Sequence, residues 1–329
     1  MGLCAKNNKR FSRYMVACLW IVISLISVLS EGAMADRSSV IMPLAEKSLL
    51  LDIAYAGPGR IVAVGERGHV LLSDDHGDAW RQVAVPTEST LTTVFFLDKK
   101  MGWAAGHDAV ILVTKDGGAS WQKQYDDPAR EQPIMDICFR DSDFGVAVGA
   151  YGLYLETHDG GKTWEDKYFE SLDDPDFGLA HFYALAFVDN ETLFMAGEAG
   201  FLARSLDAGN TWEPLEKIYI GSYFGALVTG KGSLIVCGLR GNAFRSTDTG
   251  DSWSPISTGT TATFNSCIQG RSGKIILAGL GSTLLISDDD GGHFTRIQRQ
   301  DRISIASAVV IDDNTLVIAG EGGVRKIGY

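Results

Sequence analysis

Aspartate recurs through this sequence in one fixed setting, S/T-x-D-x-G-x-x-W/F. The six copies begin at Ser73, Thr114, Thr157, Ser205, Ser246 and Ser287. They place Asp75 with Trp80, Asp116 with Trp121, Asp159 with Trp164, Asp207 with Trp212, Asp248 with Trp253, and Asp289 with Phe294. Repeated carboxylates suggest calcium binding, most of all at Ser287-Asp288-Asp289-Asp290-Gly291-Gly292. An EF-hand loop, however, needs a bidentate glutamate at its twelfth position, and the residue there, counted from Asp288, is Arg299. The same residue types suit a turn equally well. An aspartate can accept backbone N–H groups of the residues after it, and glycine tolerates positive φ. The aromatic residue then buries its ring. The boxes read as structural staples of hairpins, and no metal site is assigned.

Other chemistries leave little trace. A glycosidase needs two carboxylates about 5–10 Å apart, and no acid outside the boxes is marked by a motif. A sialidase needs an F/Y-R-I-P segment near its start, whereas the nearest match, Thr295-Arg296-Ile297-Gln298, lies in the last third. No G-x-S-x-G, H-E-x-x-H, Walker or dinucleotide fingerprint occurs in a supporting context. No catalytic or cofactor-binding residue is therefore assigned. Cys138, Cys237 and Cys267 lack C-x-x-C spacing and sit in apolar runs, so they read as core residues, with oxidation of one pair open in an exporting compartment.

The elements that must carry the boxes repeat with them. Successive boxes are 41, 43, 48, 41 and 41 residues apart. A second motif precedes each: an apolar strand ending in glycine, a short turn, and another strand. It occurs seven times, at Val64, Ala105, Val148, Ala196, Cys237, Ala278 and Ala319. Strands such as TTVFF, DICF, LAFV and SAVVI lie between. Each unit is thus four short strands, A to D, and a period of about 42 residues matches a propeller blade. The expected fold is all-β: one seven-bladed β-propeller over residues 36–329. Its last unit stops after three strands, and SSVIMPL near the N-terminus is expected to supply the fourth and close the ring.

Hairpin alternation sorts the loops. If the boxes are the C–D turns of one face, the glycine-bounded B–C turns and the D–A connections share the other. That second face carries Arg67, His107, Asp108, Tyr151, Glu198, Arg240 and Glu321. The longest D–A connection, residues 167–182, adds Tyr168, Phe169, Asp173, Asp174, Asp176, Phe177 and His181. Its aromatics are either partner anchors or covers for the loop's own base. Arg67, His107, Tyr151, Arg240, Tyr168, Phe169 and Phe177 are the candidate partner-binding set. Arg204, Arg245 and Arg325, on third strands, read as solvated.

The boxes, together with the cadence MGWAAGHDAVILVTKDGGASW, resemble the Asp-box (BNR-repeat) propellers, and within them the photosystem II stability/assembly factor family. The resemblance spans residues 36–329. It implies a non-catalytic, protein-binding assembly or stability factor for a membrane complex: photosystem II in an oxygenic phototroph, an envelope complex such as a transporter elsewhere. It also implies an arginine patch, of which only Arg67 and Arg240 share a turn position here. Asp-box glycoside hydrolases, sialidase-like or xyloglucanase-like, and glycan-binding modules are the alternative.

The first residues look like an address. Lys6, Lys9, Arg10 and Arg13 precede an apolar run from Met15 to Leu29, and Ala33-Met34-Ala35 follows. This pattern predicts a signal peptide over residues 1–35, cleaved after Ala35. The run is shorter than the roughly 20 residues of a membrane span. The full chain already carries a net charge of −12, and removing the leader makes it more acidic, which argues against a nucleic-acid partner. The expectation is an exported monomer, periplasmic or in a lumen-like compartment, peripheral to a membrane at most, and without a cofactor.

Overall fold

The computed structural model describes residues 37–174 and 178–329; the expected leader and Phe177 lie outside the described residues. One compact unit, Ser38–Tyr329, holds seven antiparallel sheets arranged as the blades of a β-propeller. Six sheets have four strands and the last has three, always in the order of the chain. The innermost strands A are Leu50–Gly57, Leu91–Phe96, Ile134–Phe139, Phe182–Phe187, Tyr223–Val228, Phe264–Gln269 and Ile305–Asp312. A two-stranded ribbon, Asp173–Asp174 with Gly178–Leu179, is added before blade 4.

Packing follows from the period-2 alternation of a strand. In strand B of blade 1, Ile61 and Ala63 enter the core shared with blade 7, while Val62 and Val64 enter the core shared with blade 2. The same division recurs around the ring and gives seven interblade cores. Strands B are therefore apolar on both faces, as in VAVG or LIVCG, because each blade is sandwiched. Every box aromatic packs in the core between its own blade and the preceding one: Trp80 with blade 7, Trp121 with blade 1, Trp164 with blade 2, Trp212 with blade 3, Trp253 with blade 4 and Phe294 with blade 5. Blade 7 has no box, and Tyr329 packs against the core it shares with blade 6.

The repeated glycine at the end of strand B has a steric cause. At Gly65, Gly106, Gly149, Gly197, Gly238, Gly279 and Gly320, a Cβ would lie only 2.0–2.3 Å from a carbonyl oxygen of the residue leading into strand A. Strand A begins there with a register shift in every blade, as between Leu50 and Asp52. The middle residue of the next turn is left-handed whatever its type: Arg67, Asp108, Tyr151, Ala199, Arg240 and Gly281 have φ of 51–63°.

The ring closes differently from the expectation. Residues 38–44 form no strand with the last blade. They lie along the outer edge of blade 1, where Ser39 N donates to Val85 O (2.8 Å) and Gln82 Nε2 to Val40 O (2.9 Å). Pro43 lacks the N–H a continuing ladder would need, and the chain turns through Ala45–Lys47 against the third strand of blade 7, Gly323–Gly328. Closure rests on the apolar core between blades 7 and 1 and on Lys326 Nζ, 2.8 Å from Asp78 Oδ1 in the first box.

Candidate partner-binding face

The boxes lie on the face of the A–B hairpins, and the B–C turns and D–A connections lie on the other, as Asp127 N to Asp108 O (2.8 Å) illustrates. In the first box Ser73 Oγ donates to Asp75 Oδ1 (2.8 Å) and accepts Gly77 N–H (2.8 Å), while Asp75 Oδ1 accepts Ala79 N–H (2.9 Å). The same set recurs through Asp116, Asp159, Asp207, Asp248 and Asp289. Donors aimed at the carboxylate hold it ionised. The N–H and hydroxyl of Thr163 bring Asp159 down to about 2, and those of Ser252 bring Asp248 down to about 2. Two arginines read as solvated prove to be struts between blades. Arg204 reaches Thr249 O (3.2 Å) and Asp251 (2.6 Å) at the next box, and Arg245 pairs with the buried Asp290 (2.8 Å).

On the opposite face the candidates fall into separate places. Tyr151 is 58% exposed, and its ring centroid lies 4.4 Å from that of His181. The two line a groove of about 270 Å³ with Leu179, Ala180, Glu198 and Ala199. His181 Nε2 is 3.5 Å from Glu198 Oε2. The long connection is fastened there: Gly152 N donates to Ala180 O (2.9 Å), and Leu179 lies over Gly152. Arg67 is exposed over a cavity of about 410 Å³ with Val40, Met42, His69 and Glu88. His107 and Arg240 are exposed on their own turns, and Arg240, on blade 5, joins neither cavity. Tyr168 is 65% exposed and hydrogen-bonds Asp173 (2.5 Å), whereas Phe169 is half-buried, edge-on to Tyr154 at 5.1 Å in the core between blades 3 and 4.

All seven innermost strands converge on a central cavity of about 170 Å³, and sequence reasoning passed over its lining. One position per blade forms a ring: Asp52, Thr93, Asp136, Ala184, Gly225, Ser266 and Ser307. Asp52 accepts N–H from its neighbour Ile53 and from Val94 of blade 2, both at 2.8 Å. Asp136 does the same with Ile137 and with Leu185 of blade 4. Thr93 Oγ1 donates to Asp136 (3.2 Å). Burial raises both carboxyls; Asp136, which also feels the charge of Asp52, reaches about 7. These acids are interblade struts, each oxygen accepting a backbone N–H. The available signal was an acid directly before isoleucine in an inner strand, at a register where the other blades carry Thr, Ser, Ala or Gly.

Next to this ring, Tyr183 and Phe224 line the same cavity with centroids 5.1 Å apart, and His181 stacks on Tyr183 at 6.1 Å and 12°. Tyr151, His181, Tyr183 and Phe224 thus form a continuous row of rings from the rim of blade 3 to the centre.

Known proteins can be set against this geometry. A model of the family described as photosynthesis system II assembly factor YCF48 matches residues 78–132 and 124–277. The chloroplast photosystem II stability/assembly factor HCF136 of Cyanidioschyzon merolae is 34% identical over 87 residues, which are 26% of this chain and 19% of that protein. Matches to the curated relatives span between about a fifth and under a third of their length in the three HCF136 proteins. A structure described as YCF48 bound to D1 peptide superimposes with a TM-score of 0.69 at 20% identity, covering 89% of this chain and 96% of that one. The fold alone is shared with a xyloglucanase of Xanthomonas campestris, TM-score 0.68 at 13% identity, over 88% of this chain and 53% of the enzyme. With more than half its length matched by the family model, this seven-bladed propeller belongs to the YCF48 family of photosystem II assembly factors.

Proposed function

We infer that this chain is an assembly or stability factor that holds an extended segment of a membrane protein on the face of its B–C turns. The observation that carries the reading is the row of rings from Tyr151 through His181 and Tyr183 to Phe224, laid across that face toward the central cavity. Aromatic side chains contribute large contact area at low entropic cost and dominate interface energetics. Family membership supports the assembly role, and the related structure with a peptide supports an extended partner. In an oxygenic phototroph the complex is photosystem II; elsewhere it is an envelope complex. The protein works exported, as a monomer peripheral to the membrane, with Arg67 and Arg240 contributing charge at the edge of the contact.

A glycosidase would need one carboxylate as acid and another as base or nucleophile. Asp52 and Asp136 each spend their oxygens on backbone N–H groups of two strands, which favours the binding reading. A photo-crosslinker placed at position 151 tests it in the host's own membranes. Capture of a membrane-complex subunit, lost when Tyr183 and Phe224 are both changed to Ala, is the expected result. Capture of nothing, together with turnover of glycosides by the purified protein, would replace binding with hydrolysis.

A further inference from the structure

Two cysteines from different blades meet beside the central cavity. Cys237 lies on strand B of blade 5 and Cys267 on strand A of blade 6, and both are free. They share the core between those blades. Beside both is Gly225, the ring position of blade 5: a Cβ built there would lie 3.1 Å from each Sγ. The two sulfurs are therefore separated by at most twice that distance, and residue 225 has no side chain to crowd either. Cys267 and Gly225 are both among the residues that line the central cavity. Cys138, the remaining described cysteine, lies in the core between blades 3 and 4 with no second cysteine.

We propose that Cys237 and Cys267 are an oxidation site: a small peroxide entering the central cavity converts them into a disulfide that staples blade 5 to blade 6. The Cys267 thiolate attacks one peroxide oxygen, the O–O bond breaks, and hydroxide leaves to take up a proton as water. Cys267 is then a sulfenic acid. The Cys237 thiolate attacks that sulfur, the S–O bond breaks, and a second water departs, so two thiols and one hydrogen peroxide become one disulfide and two waters. Burial pushes the Cys267 thiol well above its usual range, with the Cys237 thiol adding to the shift. The reaction is consequently slow at neutral pH and faster in alkali, since only the thiolate is nucleophilic.

The test treats the folded full chain with hydrogen peroxide at pH 7 and pH 9, then alkylates it in denaturant and maps peptides by mass spectrometry. The expected product is a dithiothreitol-reversible Cys237–Cys267 crosslink, formed faster at pH 9, while Cys138 stays alkylatable. The crosslinked protein should melt at least about 5 °C higher, as closing a chain loop predicts. In Gly225→Ala, whose added methyl would press on both sulfurs at 3.1 Å, crosslinking should slow at least about tenfold. Cys237→Ala should leave Cys267 as a sulfenic acid that dimedone traps. If that variant does not fold, the wild-type map decides alone. Cys237 and Cys267 both remaining alkylatable, a crosslink appearing only after unfolding, or sulfinic acid on Cys267 without a crosslink would overturn the proposal.

Discussion

Among single residues, Asp136 sets the clearest test of the electrostatics. Its carboxyl is raised to about 7 in the folded protein and returns to the ordinary range, near 4, on unfolding. Between those values the folded state holds the extra proton, so stability falls as pH rises from about 4 to about 7. The full effect is no more than about 4 kcal/mol, and water in the cavity, where Asp136 keeps some surface, reduces it. Asp136→Asn should flatten the melting temperature across this window, measured by calorimetry at several pH values; an unchanged slope would remove Asp136 as its source. The box aspartates have the opposite sign. Asp159 and Asp248 are depressed to about 2, so their contribution is present above about pH 4 and is lost as pH falls toward 2. The long connection separates its own two readings in the same way. Phe169→Ala, which removes a ring from the core beside Tyr154, should cost about 2–3 kcal/mol in urea titration. Tyr168→Ala, at an exposed ring, should stay within about 0.5 kcal/mol.

At the scale of elements, the glycine that ends strand B decides whether a blade can form. Gly106→Ala would set a methyl 2.1 Å from Thr90 O, a contact that neither backbone can yield without breaking the start of strand A. The variant should lose about 3 kcal/mol or more or fail to fold, whereas Gly273→Ala, in open space but left-handed at φ 90°, should cost about 1 kcal/mol. Equal effects at the two positions would contradict this account of the repeat. These elements were legible in the sequence because a local chemical rule repeats in every unit: box, glycine, alternating strand. Ring closure was not legible, because the alternating strand-like pattern of SSVIMPL suits pairing with blade 7 as well as lying along blade 1; the bonds of Gln82 to Val40 and Met42, some forty residues distant in sequence, hold it on blade 1. The struts Arg204 and Arg245 were missed for the same reason, since their partners sit about one repeat away.

Across the whole molecule, the two faces carry different work. The box face is occupied by carboxylates already bonded to their own turns and by arginines tied to the next blade. The opposite face holds the exposed Tyr151, the groove beside it and the row of rings that ends at the cavity. Sequence alternation sorted the loops onto these faces and placed Tyr151, yet it could not show that His181, Tyr183 and Phe224 from other blades extend the same row. If that row anchors the partner, Tyr151→Ala should weaken binding about tenfold or more, the usual loss for a central aromatic anchor, without lowering the melting temperature. The most direct measurement is a crosslinked pull-down of the tagged protein from its own membranes, comparing wild type, a Tyr151→Ala/Phe224→Ala double variant and a box-face variant such as Asp251→Ala. A membrane complex recovered in stoichiometric amount with wild type and the box-face variant, and lost with the double variant, is the predicted result. Loss with the box-face variant alone, or recovery of nothing but the propeller in every case, would contradict it.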